Sequence, residues 1–552
     1  MLRYVLFLVL LVGCGTGGRD TLRAYREAFA IGDFAKAREI LTKAELNKSA
    51  NSQLLHLMEE GRLSYVAGDY PAAVGFFNQA IELVDAQYTK SLTKEGSKWI
   101  INDASGEFFG SPYERSWLFY HQAMAYLKMY QTKVGDDPRR HLFSARAALL
   151  AWDSFFQEWQ RATEGKTVYR HDLVAKVVAA QVHEATGIRA DEQIALQLYK
   201  DGFQLLRNLS PTYASFNSKS SEYVAVVTEA LNEKGQFIAD VKDNAPTGTA
   251  ASTRDFLIEK IVTLIQKLRP SDLATLTAQF GITADEINKF KKSEVGNLVI
   301  VLEEGVVPAK VAKEINLGVQ GLAKLSKDKK TQQDIARIGS EVLAVFAVNI
   351  LGLNPRGTST YGDYRGRHAL MTVAVHEFGI EFEIPAIESG ALPEELWLQL
   401  TSESGEKSYR PLNVLTHLED VAKLSLEEES SQRILRTGVR VAMKHVAAIL
   451  AAMAVYKSMN KDGKENPFAK FAAIGSYMAA SKGIKYSERA DTRSWQTLPR
   501  TLRMGEFKVK AGSYKVHIVR KVEQNSWVEL RALADLSAGK EKAIFSYSLP
   551  QM

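Results

Sequence analysis

Apolar positions along this chain change period twice. From Tyr4 to Val12 they run unbroken behind Arg3, then recur at helical spacing as far as about residue 242. The segment 115–130 puts Trp117, Tyr120, Met124 and Leu127 on one face, and 141–159 continues with Phe143, Ala147, Leu150, Phe155 and Phe156. Further helices are predicted over 173–185, 194–206 and 223–241. The run from Asp243 to Thr249 is rich in turn formers and has no apolar period, so 243–253 reads as a linker between a helical domain, 20–242, and a second domain, 254–552. That second domain opens with a helix over 256–268, stopped by Pro270, and a helix–glycine–helix unit over 271–289 around Gly281. Beyond Val295 the period shortens to that of strands, predicted over 296–302, 370–375, 380–384 and 396–400. Helices are expected again over 414–426 and 434–459, and strands over 501–509, 513–520, 527–532 and 543–549, the last four as one antiparallel set. The fold class is therefore α+β and multidomain, a helical front followed by an α+β region ending in antiparallel strands.

One pattern repeats at an offset of 36 residues: Gly32, Asp33, Phe34, Ala37, Leu41 and Ala44 return as Gly68, Asp69, Tyr70, Ala73, Phe77 and Ala80. Each set reads as a tight Gly-Asp turn followed by a helix whose small residues admit a close neighbour. The pattern resembles the tetratricopeptide repeat, in which an aromatic residue after the turn and alanines on the second helix carry the packing. The resemblance implies a solenoid of helix pairs with a concave groove, contacted by polar residues on the first helix of each pair. The stretch from Ser91 to Phe109 breaks the regular spacing.

Cys14 is the only cysteine. It follows Leu11-Val12-Gly13 at the end of the short apolar run, and this leader, 1–13, resembles the lipobox of bacterial lipoproteins, with 14–19 as a lipidated tether. The run is shorter than the about 20 apolar residues of a membrane-spanning helix. The resemblance implies acyl chains on Cys14, palmitate-like in character, that hold the protein to a membrane. With Gly15 rather than aspartate after the cysteine, it implies the outer membrane, periplasmic side. Gly13, Gly15 and Gly18 spell a dinucleotide-binding glycine pattern, but they follow a removable leader rather than a strand. Loss of Arg3 with the leader takes one from the 70 basic residues that face 64 acidic ones, a small excess that gives no case for nucleic acid.

Four further motifs stand in the same order along the chain: Gly296-x-Leu298-Val299-x-x-x-Glu303-x-Gly305-x-x-Pro308-x-Lys310, Leu418-Glu419-Asp420-Val421-Ala422, Arg436-x-x-x-Arg440-x-x-x-Lys444, and Ala490-Asp491-Thr492-Arg493-Ser494-Trp495-x-x-Leu498-Pro499. Together they resemble a poorly characterised family of bacterial tetratricopeptide-repeat-containing lipoproteins, a resemblance that implies location and fold and no reaction. Arg436, Arg440 and Lys444 share one helical face, read either as a charged stripe on a packed helix or as a basic face for an acidic partner or lipid headgroup. Asp491 and Arg493 are spaced for a local ion pair, with Trp495 as an anchor between subdomains; a ligand contact from the same loop is the other reading.

The sequence holds no G-x-S-x-G elbow and no Walker loop, and its single thiol is taken by the anchor. His376-Glu377 lacks the second histidine of a zinc protease helix, and His121, His141, His171 and His183 follow no metal-ligand spacing. The expectation is a non-enzymatic, cofactor-free and metal-free lipoprotein that scaffolds envelope assembly by holding another envelope protein in its helical groove. Its alternatives are peptidoglycan binding through 273–290 and an envelope hydrolase of unknown substrate.

Overall fold

The computed structural model describes residues 17–91, 106–162, 169, 171–207, 249–317, 380–387, 393–460, 466, 468–523 and 526–551. Cys14 with the leader, the expected helix 223–241, linker residues 243–248, the expected strand 370–375 and the pair His376-Glu377 lie outside the described residues.

The front consists of α1 (Gly17–Ala30), α2 (Phe34–Lys43), α3 (Gln53–Val66), α4 (Tyr70–Ser91), α5 (Pro112–Gln131), α6 (Pro138–Ala162), α7 (Leu173–Ala185) and α8 (Arg189–Arg207), packed as successive hairpins. The two Gly-Asp turns share one construction. Gly32 and Gly68 end α1 and α3 at φ +80° and +85°, a conformation that side chains resist. The following aspartates cap α2 and α4, with Asp33 Oδ1 accepting from the Lys36 amide at 3.0 Å and Asp69 Oδ1 from the Ala72 amide at 3.2 Å. Ala37, Leu41, Ala73, Phe77 and Ala80 are buried as the repeat requires, whereas Ala44 sits half-buried at the C-terminal cap of α2. Phe77 rests on Gly61 of α3 so closely that an added Cβ would stand 2.5 Å from its ring.

The rear begins earlier than its linker reading implies. Thr249 to Thr253 already belong to α9 (Thr249–Leu268), and Thr253 is buried, its hydroxyl donating to the Val414 carbonyl at 2.8 Å. After α9 come α10 (Thr275–Phe280) and α11 (Ala284–Phe290), joined through Gly281 at φ +65°. Then follow β1 (Leu298–Glu304), β2 (Lys310–Leu317), β3 (Ile380–Ile387), β4 (Trp397–Ser402), β5 (Lys407–Pro411) and β6 (Asn413–His417). A helical hairpin of α12 (Leu418–Met459) and α13 (Ala469–Ser487) leads to β7 (Thr501–Phe507), β8 (Gly512–Glu523), β9 (Ser526–Ala532), β10 (Leu536–Ala538) and β11 (Ala543–Leu549).

Two expectations are corrected here. Residues 413–417 form a strand rather than the start of a helix. All five are buried, and they pair with β7, so tertiary pairing overrides a local pattern that the following helix continues in register. The last four expected strands do not make one antiparallel set. β7 and β11 flank β1 in a sheet ordered β11-β1-β7-β6, with β11 parallel to β1, while β8 and β9 belong to a second sheet, β10-β8-β4-β5 with β9 on β8. β2 and β3 form a separate pair.

The first sheet is the middle layer of three. β1 alternates: Val299 and Val301 join the core under the helices, while Leu298, Ile300 and Leu302 join a second core with Leu398, Leu400, Val516 and Ile518 of the other sheet. Gly505 permits that second approach, since a Cβ there would stand 2.6 Å from Leu398. The core on the helix side runs without a break from Leu22 to Ile544, so the chain before the expected linker and the chain after it share one apolar interior.

Candidate functional site

The inner face of the helix pairs is where sequence places recognition. The first helix of each hairpin, α1, α3, α5 and α7, points polar groups inward, and the described structure sets the chain's own rear half against them. The helix-facing side of the first sheet reads Val299, Val301 and Glu303 on β1, Leu502, Met504 and Glu506 on β7, and Ile544, Ser546 and Ser548 on β11. Each polar member of this set is taken by a helix residue.

Arg62 of α3 and Glu303 form an ion pair at 2.6 Å, with both side chains 1% exposed. Arg62 also donates to Ser548 Oγ at 2.7 Å and to the Thr497 carbonyl at 3.2 Å, and the Tyr120 hydroxyl donates to Glu303 at 2.9 Å. Tyr65 and Ser546 share a hydrogen bond at 2.8 Å. Farther along, Lys260 and Lys542 bridge Glu184 and Glu506 in a closed, charge-balanced ring with contacts of 2.7–3.1 Å, joined by Gln181 and Tyr199. Burial pushes the Lys260 pKa down, but its two carboxylate neighbours outweigh burial and hold it above the ordinary lysine value.

The motif 490–499 passes through the front of this interface as irregular chain with a turn at Gln496-Thr497. Asp491 pairs with Arg493 at 2.7 Å, and Arg493 reaches on to the carbonyls of Asn51 and Gly106 and stacks its guanidinium over Phe108. Trp495 is fully buried, its ring against Phe77 and His121 and its amide donating to Glu114 at 2.8 Å. Glu59 of α3 accepts from the Gln496 amide at 2.5 Å, from the Thr497 hydroxyl at 2.6 Å and from Tyr25 at 3.1 Å. Burial pushes the Glu59 pKa up to about 8 despite these donors. Arg26 of α1 completes the contact by donating to the Val307 carbonyl.

His121 lies at the centre of an aromatic cage of Phe77, Trp117, Tyr120, Tyr65 and Trp495, and burial drives its pKa well below the ordinary value. It is therefore a neutral ring packed among rings. His183 serves α7 differently, bonding Asp191, which also pairs with Arg146.

The basic stripe has a different fate from a docking face. Arg440 makes a two-point contact with the buried carboxylate of Glu488, and Lys444 reaches the same group at 2.5 Å, so these charges tie α12 to the end of α13. The side chain of Arg436 lies outside the described residues.

A cleft of about 390 Å³ opens beside the lysine–glutamate ring between α9, α11 and the sheet edges. Much of its charge is matched within the wall: Lys289 to Asp255, Lys260 to Glu506 and Lys508 to Glu294. Such a lining attracts neither anions nor cations strongly. Among the described residues no group of three or more His, Cys, Asp or Glu side chains is placed to hold a metal ion.

Sequence reasoning named Asp491, Arg493 and Trp495 and quoted Glu303 as a motif residue without a role, but missed Glu59, Arg62, Glu114 and Glu506. The available signal was the placement of charges inside otherwise apolar helices and strands, as in Glu59-Glu60-Gly61-Arg62 within α3.

Burial of Glu59 has a pH consequence. Between the unfolded carboxyl value of 4.5 and the folded value of about 8, the native chain keeps a proton that the unfolded chain releases, so this group's contribution to stability falls as pH rises. The loss approaches about 1.4 kcal/mol per pH unit within that window. Urea unfolding of wild type and Glu59→Gln at pH 6 and pH 8 should show the variant gaining relative to wild type at the higher pH; a constant difference would rule out a buried, proton-holding Glu59.

No protein-family model, no curated protein and no solved structure matches this chain.

Proposed function

We propose that this chain is a lipid-anchored, non-enzymatic structural protein of the bacterial cell envelope, tethered through Cys14 at the periplasmic side of the outer membrane. Its helix pairs form a tetratricopeptide-like frame closed onto the chain's own sheet. The observation that carries the closed-frame part of this reading is the capture of 495–497 by Glu59 and Arg62 of α3 and Glu114 of α5, the first helices of successive pairs. A groove whose principal charged groups are paired within one chain gains little from a peptide that must first displace them. Partners of the assembly therefore meet outward surfaces of the protein rather than the inner face.

The same matching argues against a hydrolase, because the interface carboxylates and lysines, including the Lys260 and Glu506 that line the cleft, are engaged with one another. It leaves 273–290 packed by Leu276, Phe280, Ile282 and Phe290 into the common core, which favours a structural role for that unit over peptidoglycan binding. Fractionation of cells expressing wild type and Cys14→Ser tests the tether. Wild type should need detergent for release, whereas a variant held only by a reversible contact should come off with salt; release of wild type by salt alone would overturn the anchor. Incubation with purified sacculi should leave the protein in the supernatant.

A further inference from the structure

The α12–α13 hairpin carries a surface that nothing in the interface uses. α12 has 42 residues, so at about 1.5 Å each it extends about 60 Å. Its base is fixed by Leu418, Val421 and Ala422 in the common core, and farther out it packs on α13 through Ala448, Ala452, Ala473 and Tyr477. The opposite side of α13 is open. Helical geometry places Phe468, Phe471, Gly475, Met478, Lys482 and Lys485 on one outer stripe, with Phe468 71%, Phe471 75% and Met478 57% exposed. Lone exposed apolar residues are ordinary; three large ones in line with lysines on the same face are the signature of an interfacial helix.

Charge selects the partner. From residue 441 to 487 the sequence holds seven lysines against two carboxylates, Asp462 and Glu465. Lys444 is committed to Glu488, and Lys485 stands 3.6 Å from the exposed Glu314, which leaves a strong positive excess along the arm. Two such arms repel each other, whereas a layer of lipid phosphates draws them in. No helix among the described residues is long and apolar enough to cross a membrane.

We propose that the outer stripe of α13 docks on an anionic phospholipid surface, with Phe468, Phe471 and Met478 in the headgroup boundary and Lys482 and Lys485 beside the phosphates. The contact deepens the envelope reading by adding a second, reversible hold on the membrane, but it does not require acylation. It is tested on the full chain carrying Cys14→Ser, sedimented with vesicles of phosphatidylglycerol and phosphatidylethanolamine or of phosphatidylcholine alone. Binding should favour the anionic vesicles, weaken with added salt and fall roughly tenfold in Phe471→Ser/Met478→Ser, a change at exposed positions that leaves the far-ultraviolet dichroism intact. Whatever the leader contributes is common to both chains and drops out of the comparison. Equal binding of the two chains would overturn the proposal. So would a concentration-dependent dimer abolished by the same substitutions while vesicle binding stayed unchanged, because the stripe would then belong to a second copy. Neither result bears on Cys14, which the fractionation experiment reads separately.

Discussion

Replacing Trp495 with alanine will destabilise the folded chain by about 3–5 kcal/mol, the cost of emptying a large aromatic site that the surroundings refill only in part. The tryptophan is fully buried and touches Phe77 on α4 and His121 on α5, so its removal opens a void between two hairpins and the rear segment at once. The bonds that the Trp495 and Gln496 amides donate to Glu114 and Glu59 do not depend on the indole, but they lose the packing that keeps water from them. Urea unfolding should show the midpoint moving down for both halves together, since they share one core. A loss below about 1 kcal/mol, the average for an ordinary substitution, would mean that Trp495 is not an anchor.

The second large effect belongs to Arg62. Substitution by methionine keeps much of the side chain's apolar stem but leaves Glu303 buried without its cation, at a cost of about 3–5 kcal/mol. Glu303→Gln on its own keeps an oxygen to accept from Tyr120 while leaving Arg62 unmatched. The double variant Arg62→Met/Glu303→Gln should be less destabilised than the sum of the two, because neither charge is then stranded. Strict additivity in a double-mutant cycle would show that the two groups are not paired across the helix–sheet boundary. Because α3 and β1 lie on opposite sides of the expected linker, a coupling energy here reports directly on how the halves meet.

Which features were legible in the sequence follows from the range of the interactions that make them. The Gly32-Asp33 and Gly68-Asp69 turns are local chemistry: a left-handed glycine ends one helix and the next aspartate caps another, so the 36-residue repeat could be read directly. The positions of the described front helices were legible for the same reason, but the buried face of α6 was not: Ala147 and Leu150, read as part of the apolar face, are exposed, while Leu142, Ala145, Leu149 and Trp152 are buried. Sheet order was not. β1 lies between β11 and β7, partners that the chain reaches only after the whole α12–α13 hairpin, and nothing in Leu298-Val299-Ile300 specifies which edge each will take. The strand 413–417 was hidden because Val414, Leu415, Leu418, Val421 and Ala422 also fit helical spacing; pairing with Met504 and Leu502 decides the matter.

The site was half legible. Asp491, Arg493 and Trp495 stood out as an unusual run, but Glu59, Arg62 and Glu114 look like solvent-facing charges until their partners are known. The same ambiguity left two readings open at Arg440 and Lys444, whose helical spacing suits a free basic face as well as a packed stripe; in the structure both pair with the distant Glu488. Charge on a helix specifies a need for a partner, not where that partner comes from.

Amide hydrogen exchange at Trp495 and Gln496 in the full chain tests the cis-closed interface most directly. If Glu114 and Glu59 hold these amides inside the helical front, both will exchange only with global unfolding, at rates matching the core of β1. Exchange at the rate of an open loop, with α3 and α5 still protected, would show that the inner face is vacant and free to receive a partner.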